Sequence, residues 1–225
     1  MGRSAKTDRS SAAAKQTRDP EATKAQILDA AEEEFARFGL NGARTEAIAA
    51  KTGVTKAMIY YYFGSKEALY QAVLSRPFDD FKTIFEQLPL ETLPAEEALI
   101  TLINTGIDYE VAHPYQQMIL FQEANQNQGK FFREVGLQSV FAGIVQILER
   151  GMADGTFRQL DPWFTAIQIG GVVSFYFTTY ENMKHITPTA DFRDPAMVER
   201  HRKEAIAFIL AGVKATSKSN CHAAQ

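Results

Sequence analysis

Hydroxyl and cationic side chains are grouped in one short stretch of this 225-residue chain, between Arg44 and Lys66. Thr45 and Thr55 stand where two short helices can begin. Hydroxyls and free backbone N–H groups at helix N-termini bind phosphate. Lys56 opens the second of these helices, where an ammonium group can donate to guanine O6 and N7 in the major groove. These residue types and their spacing indicate a surface that binds nucleic acid.

Three consecutive tyrosines, Tyr60, Tyr61 and Tyr62, end the second short helix. One interpretation is that they are half-buried packing residues, and this fits Tyr60 best. Successive residues of a helix point in different directions, so three of them cannot all face one core. At least one phenol must therefore reach solvent, where it can bind a phosphate.

Two short helices joined by a glycine turn are needed to position these groups. Ile48 and Ala49 predict the buried side of a helix that ends near Lys51. Gly53 suits the left-handed turn after it. Val54 is an apolar residue that can seat the next helix, which runs from about 56 to 62. This order of elements is typical of a helix-turn-helix.

Longer helices are predicted on both sides of this motif. A capping pattern at Thr23 opens a first helix that ends at Gly39. Ser65 opens a fourth helix that is predicted to continue through Phe81 and Phe85, and Pro77 is predicted to kink or split it. Apolar periodicity and Pro positions predict further helices over 94–113, 115–127, 130–153, 163–185 and 195–214. The last two are each opened by an Asp-Pro pair, Asp161-Pro162 and Asp194-Pro195, in which the aspartate is the predicted N-cap and the proline the first helical residue. No strand hairpin pattern is present, so the predicted fold is all-α.

The predicted layout has four parts: a disordered basic arm over 1–20, a three-helix helix-turn-helix domain over 21–76, a larger helical domain over 77–215 and a flexible tail over 216–225. Residues 1–76 hold 12 Lys/Arg against 9 Asp/Glu, and the remainder holds 12 against 18. A more basic N-terminal part favours DNA at that end, although charge alone is equally compatible with chance.

The sequence patterns that are typical of other functional classes do not occur in this chain. The single cysteine, Cys221, excludes a disulfide framework within one chain and suits a reducing cytoplasm. The longest apolar stretch, Trp163 to Tyr180, is too short and polar for a membrane span. The four histidines lack metal-ligand spacing, and neither a phosphate-binding loop nor a Gly-x-Ser-x-Gly nucleophile motif occurs. No metal, cofactor, membrane contact or enzymatic activity is therefore expected.

Residues 23–75 resemble the DNA-binding domain of the TetR family of repressors. The matching positions are Phe35 and Gly39 at the end of the first helix, Ile48-Ala49, Gly53-Val54-Thr55, Tyr60-Tyr61-Tyr62-Phe63 and Ser65-Lys66-Glu67. Thr52 departs from the alanine that is common before the glycine. Further along, Gly151, Gly155, Phe157, Arg158 and Asp161-Pro162 are similar to the loop before the family's penultimate helix.

The resemblance implies roles for individual residues of the motif. The implied base contacts come from Lys56, Ala57, Met58 and Tyr60. The implied phosphate contacts come from Arg44, Thr45, Thr55, Tyr61, Tyr62 and Lys66. Glu46 is a further candidate for a base contact, or it stabilises the dipole of its helix.

The resemblance also implies that the larger domain binds a small-molecule effector, whose identity the sequence does not specify, and forms a homodimer through the last two helices. The candidate ligand residues combine aromatic, amide and hydroxyl groups: Tyr109, His113, Met118, Phe121, Gln122, Asn125, Phe141, Trp163, Gln168, Phe175, Tyr176 and Thr179. Each of them is also explained by ordinary core packing. The candidate dimer contacts of the last helix are Met197, Ile206, Phe208, Ile209, Leu210 and Val213. Gly170 and Gly171 predict a close neighbour, either a partner helix or a ligand.

The resulting hypothesis is a cytoplasmic homodimeric repressor that binds a pseudo-palindromic double-stranded DNA operator and is released by its effector. Two alternatives stay open at this point. One is a helical protein whose N-terminal module binds another protein, and the other is a helical enzyme.

Overall fold

The computed structural model describes residues 19–134, 137–186 and 191–215, and within these ranges the chain forms ten α-helices. Their bounds are α1 Pro20–Gly42, α2 Thr45–Thr52, α3 Lys56–Phe63, α4 Lys66–Gln87, α5 Ala95–Ala112, α6 Gln116–Asn127, α7 Leu137–Ala153, α8 Pro162–Thr178, α9 Tyr180–Ile186 and α10 Pro195–Val213. The all-α prediction is confirmed. Most of the predicted basic arm and the tail from 216 lie outside the described residues.

Asp-Pro pairs open three of the long helices. The predicted caps at Asp161 and Asp194 are confirmed, because each aspartate accepts a backbone N–H from the first turn of its helix. The predicted cap at Thr23 is wrong, since Asp19 caps α1 and Pro20 is its first residue. Thr23 lies one turn inside, and its hydroxyl donates to the Asp19 carbonyl at 2.9 Å. The same Asp-Pro pattern was available in the sequence.

Two predicted helices are each interrupted once. The segment predicted over 130–153 forms a short 3₁₀ turn, Phe131–Glu134, before α7. Glu123 fixes that turn by accepting the Phe131 N–H at 2.8 Å. The segment predicted over 163–185 divides into α8 and α9 at Thr179, whose hydroxyl donates to the Phe175 carbonyl at 2.8 Å. A threonine hydroxyl that donates to the carbonyl four residues earlier competes with the backbone hydrogen bonds of a regular helix.

Two apolar cores are connected by one helix. The first core contains Ile27, Phe35 and Ile59 from the N-terminal helices, together with residues of α6. The second core is built from α5, α7, α8 and α10. Helix α4 runs through Pro77 without being split, so it contributes Phe78 to the first core, while its later residues pack against the second. A change in the tilt of α4 would therefore alter the packing of both cores.

The loop before α8 is closed by an aromatic ring. Phe157 is fully buried, and its Cδ2 atom lies 2.1 Å from the position a Cβ would take at Gly151. The only β-type pairing in the described residues is an isolated bridge between Phe157 and Lys214. Arg158 donates from Nε to the Gly212 carbonyl at 2.7 Å. These contacts join the loop to the end of α10.

Candidate DNA-binding surface and ligand cavity

Helices α2 and α3 form the predicted helix-turn-helix. Ile48, Val54 and Ile59 are buried and attach the two helices to the first core. Gly53 ends α2 at φ 64°, in the left-handed region that glycine adopts without strain. Thr55 caps α3 by accepting the Met58 N–H at 3.2 Å. The outer face of α3 is thereby presented to solvent.

That outer face carries most of the predicted DNA contacts. Tyr61 is 84% exposed, which confirms that at least one phenol of the tyrosine run reaches solvent. Tyr62 is half-buried, and its ring pairs with that of Tyr61 at 5.4 Å. The half-buried Met58 packs against the first core, so it offers less surface than its neighbours. The exposed candidates are Arg44, Glu46, Thr55, Lys56, Ala57, Tyr60 and Tyr61.

An ion pair connects α2 to α3 across this face. The Lys56 Nζ lies 2.5 Å from Glu46 Oε1 and 5.7 Å from the centre of the Tyr60 ring. The hydrogen bond with Lys56 lowers the pKa of Glu46, and the same bond raises the pKa of Lys56. An ammonium group has three N–H donors, so a base contact from Lys56 would share this nitrogen with Glu46 or replace that bond.

Besides Thr55, which accepts the Met58 N–H, three further predicted phosphate-binding residues have partners within the protein. Lys66 donates to the Ala43 carbonyl at 3.1 Å, close to the end of α1. Thr45 is buried, with its hydroxyl 3.5 Å from that of Tyr60. The Arg44 backbone N–H donates to a Glu34 carboxylate oxygen at 3.0 Å, while the Arg44 side chain remains exposed. Their phosphate contacts stay predictions.

A largely apolar cavity of about 280 Å³ lies among α4, α5, α6, α7 and α8. One side is an aromatic row on α4, formed by Phe78, Phe81 and Phe85. The opposite side is formed by α8, where a Cβ at Gly170 would lie 3.6 Å from the Phe141 ring, an ordinary van der Waals contact. The volume is near the lower limit of small-molecule sites. A compact apolar ligand matches these walls.

Glu110 is the titratable residue of this cavity wall. Its side chain belongs to α5, the residue is 8% exposed, and one carboxylate oxygen accepts a hydrogen bond from the Gln117 amide of α6. Burial raises the pKa of Glu110 to about 8. Gln116, Gln117 and Ser174 are the other polar side chains that line the cavity.

Few of the predicted ligand residues lie at a cavity. Phe141 lines the main cavity, and Tyr176 lines a smaller one of about 190 Å³ beside it. Tyr109 is buried beside α4, where it donates to Asp80 at 3.0 Å and stacks on His113. The remaining residues are not among those that line the main cavity: Met118 packs against the first core, Gln122 bonds to Gln126, Thr179 lies at the α8–α9 break, and Phe121, Asn125, Trp163, Gln168 and Phe175 are exposed.

Several lining residues were not predicted. Phe78, Phe81 and Phe85 are spaced three and four apart, which is the signature of one helix face. Phe81 and Phe85 were expected on the continuation of the fourth helix, but they were not assigned to the ligand site. Glu110 lies seven residues after Ile103, on the same apolar face of α5. A carboxylate on an otherwise apolar helix face is the sequence signal that could have identified Glu110.

Residues 27–73 match the family described as "Bacterial regulatory proteins, tetR family". Residues 95–209, about half of the chain, match the family described as "Tetracyclin repressor-like, C-terminal domain". The chain belongs to the TetR family. The resemblance inferred from residues 23–75 is thus confirmed, and it extends over the larger domain.

The relatives of this TetR-family chain include named regulators. The HTH-type transcriptional repressor NicS of Pseudomonas putida is 37% identical over 141 residues, which are 60% of this chain and 66% of NicS. The HTH-type transcriptional regulator RutR of Escherichia coli is 49% identical over 105 residues, which are 46% of this chain and 47% of RutR. The chain therefore spans about half to two thirds of the length of these relatives.

The fold is also that of solved family structures. The transcriptional regulator FadR of Bacillus subtilis, crystallised with stearoyl-CoA, superposes with a TM-score of 0.67 at 21% identity. The match covers 84% of this chain and 98% of that one. At this identity the likeness establishes the fold of this TetR-family protein and not its ligand.

The TetR-family fold leaves an apolar stripe uncovered on its last long helices. On α8 the exposed residues Phe164, Ile167 and Phe175 lie on one face, with the exposed Gly171 between them. On α10, Phe208 is 70% exposed. The other predicted dimer contacts of α10 are half-buried or buried. Ile209 and Val213 are 4% and 3% exposed and belong to the second core, so their assignment to a dimer seam is corrected: they face their own protomer.

The described residues contain neither a membrane-spanning helix nor a metal-binding cluster. No described helix is sufficiently long and apolar to cross a membrane. No group of three or more His, Cys, Asp or Glu side chains in the described ranges is arranged to hold a metal ion.

Proposed function

We propose that this TetR-family protein is a ligand-responsive transcriptional repressor that binds a pseudo-palindromic operator as a homodimer. The observation that supports this best is the continuity of α4. This helix begins at Lys66, three residues after the end of α3, and its later residues line the apolar cavity. One rigid element thus joins the candidate DNA surface to the candidate effector site. A chromosomal operator implies that the protein acts in the cytoplasm.

Release by an effector requires a difference in ligand affinity between two conformations. A ligand that enlarges the space beside Phe81 and Phe85 displaces the C-terminal half of α4. Because the N-terminal half packs in the first core, the displacement changes the orientation of α3. In the conformation that binds the ligand more tightly, the two α3 helices of the dimer are then separated by a distance that does not match successive major grooves.

The homodimer is proposed to form through α8 and α10. Two helix-turn-helix units must lie about 34–36 Å apart to enter successive major grooves. The uncovered stripe on these helices offers Phe164, Phe175 and Phe208 to a second copy. Gly171 lies within that stripe and would allow close approach of a partner helix, and both Gly170 and Gly171 border the cavity.

The proposed function is tested by measuring binding to DNA from the region upstream of the protein's own gene. Fluorescence anisotropy at several salt concentrations should give a specific complex whose affinity decreases as salt increases. Lys56→Ala should weaken specific binding by about 1–3 kcal/mol and relax the preference at one base step. Lys203→Ala, which removes an exposed cation from α10, is the matched control and should leave the affinity unchanged.

Other outcomes would favour the alternatives. If the purified dimer shows no salt-dependent binding to any fragment of that region, the repressor hypothesis is wrong. Capture of a protein partner by the α2–α3 surface would then support an interaction module. Turnover of a molecule bound in the cavity would support an enzyme.

A further inference from the structure

Glu110 is a carboxylic acid in a wall that is otherwise built from neutral residues. Its neighbours around the cavity are the α4 phenylalanines, aliphatic residues of α5 and α7, and the glycines of α8. Within the described ranges, no Lys, Arg or His nitrogen lies within 4.0 Å of its carboxylate. A buried carboxylate without a countercharge is unfavourable, and Gln at this position would accept the same hydrogen bonds without that cost.

The groups on the far side of Glu110 do not supply the countercharge either. Glu110 also borders the smaller cavity, together with Tyr176, Tyr180 and Arg193. The Arg193 guanidinium lies over the Tyr180 ring, 4.0 Å from its centre. The Gln117 amide of α6 is neutral. A positive charge near Glu110 must therefore come from outside the described protein groups.

We infer that the effector has an apolar body with a protonated nitrogen, and that Glu110 binds this nitrogen. The inference rests on the proposed ligand-responsive function, because it names the chemical class of the effector. The α4 aromatic row contacts the apolar body, and aromatic faces also attract cations. Gln117 holds the carboxylate at the cavity wall by donating to one of its oxygens.

The experiment compares ligands that share one skeleton and differ in charge. Isothermal titration calorimetry is carried out on the full chain without DNA, using 4-phenylbutylamine, 4-phenylbutan-1-ol and 4-phenylbutyrate. The amine is protonated throughout the range used. At pH 8.5 the amine should bind at least tenfold more tightly than the alcohol, and the carboxylate should bind most weakly.

The pH dependence gives a second readout. With the pKa of the unliganded Glu110 raised to about 8, the carboxylate is mostly protonated at pH 6.5 and mostly ionised at pH 8.5. The amine binds the ionised form, so its apparent affinity should increase roughly 20-fold across this interval as that form becomes populated. The affinity for the alcohol should remain flat.

Glu110→Gln should abolish both the preference for the amine and its pH dependence. Glu97→Gln, the same substitution at an exposed position of α5 that lines neither cavity, is the control and should preserve both. Because the buried acid opposes folding as pH rises from about 4.5 to 8, Glu110→Gln should also melt at a higher temperature than the wild type at pH 8.5. That measurement shows that the variant is folded.

Equal affinity for amine and alcohol, no binding of the amine at millimolar concentration, or an unchanged preference in Glu110→Gln each overturns the inference. The proposed function is measured separately, as operator binding by the unliganded protein. If the protein binds the operator but shows no preference for the amine, only the inference about the effector is wrong. If the cavity prefers the amine but the protein does not bind DNA, only the repressor function is wrong.

Discussion

Phe208→Ala should dissociate the proposed dimer while leaving the protomer folded. Phe208 is 70% exposed on α10, whereas the adjacent Ile209 is 4% exposed in the second core. A phenylalanine that buries this exposed portion removes on the order of 100–150 Å² from water, which stabilises association by about 3 kcal/mol. Truncation to alanine retains the Cβ and should cost about 2 kcal/mol per copy. Two-fold symmetry doubles this, so the dimer dissociation constant should rise by about 1000-fold.

The assay is sedimentation equilibrium at micromolar concentration, combined with circular dichroism to measure helix content. Phe208→Ala should sediment as a monomer with the helix content of the wild type, and its operator affinity should fall although no DNA-binding residue has changed. Ile209→Ala is the matched comparison. It should lower the free energy of unfolding by about 2–5 kcal/mol, because it opens a cavity in the protomer core.

The result that would refute this reasoning is a Phe208→Ala protein with the wild-type dimer dissociation constant. In that case the face that contains Phe208 does not form the interface. A monomeric wild type that binds operator tightly would contradict the proposed assembly as a whole.

Three further perturbations are tested by standard measurements. Gly151→Ala places a Cβ 2.1 Å from a Phe157 ring atom, so it should destabilise the protein by about 1–3 kcal/mol in thermal denaturation; Gly143→Ala, where the new Cβ meets nothing within 4 Å, should not. Burial lowers the pKa of His201 below its ordinary value near 6.5, so the free energy of unfolding should fall as pH decreases below that value, and His201→Gln should reduce this slope in urea denaturation. Lys66→Ala should weaken binding to all DNA sequences alike, and the slope of log K against log salt should decrease by about one unit per half-site. A lower melting temperature with an unchanged slope would show that Lys66 stabilises the fold through its bonds at the end of α1 and does not bind phosphate.

Most helices could be predicted because their signals are local. Apolar residues recurred with the period of a helix, and residues such as Gly53, Thr55 and Ser65 have conformational preferences that act over one turn. The errors were also local in origin. Thr23 was favoured over Asp19 as a cap, and Pro77 was expected to kink or split a helix that runs unsplit to Gln87.

The two candidate sites differed in how many of their residues could be predicted from the sequence. The DNA-binding surface consists of neighbours in the sequence, so its residues could be named from the motif alone. The cavity is assembled from five helices that lie far apart in the chain, and aromatic composition could not show which aromatic residues face it. Phe141 was found in this way, whereas the α4 row was not.

By itself, the sequence determined the helical class, the helix-turn-helix and its outer residues, because period and capping depend on residues within one or two turns of each other. Tertiary structure alone decided which of two adjacent residues, Phe208 or Ile209, faces outward on α10. It also decided that Glu110 is buried without a countercharge and that Lys56 pairs with Glu46. Burial and ion pairing depend on which helices pack together, and that arrangement brings distant parts of the chain into contact.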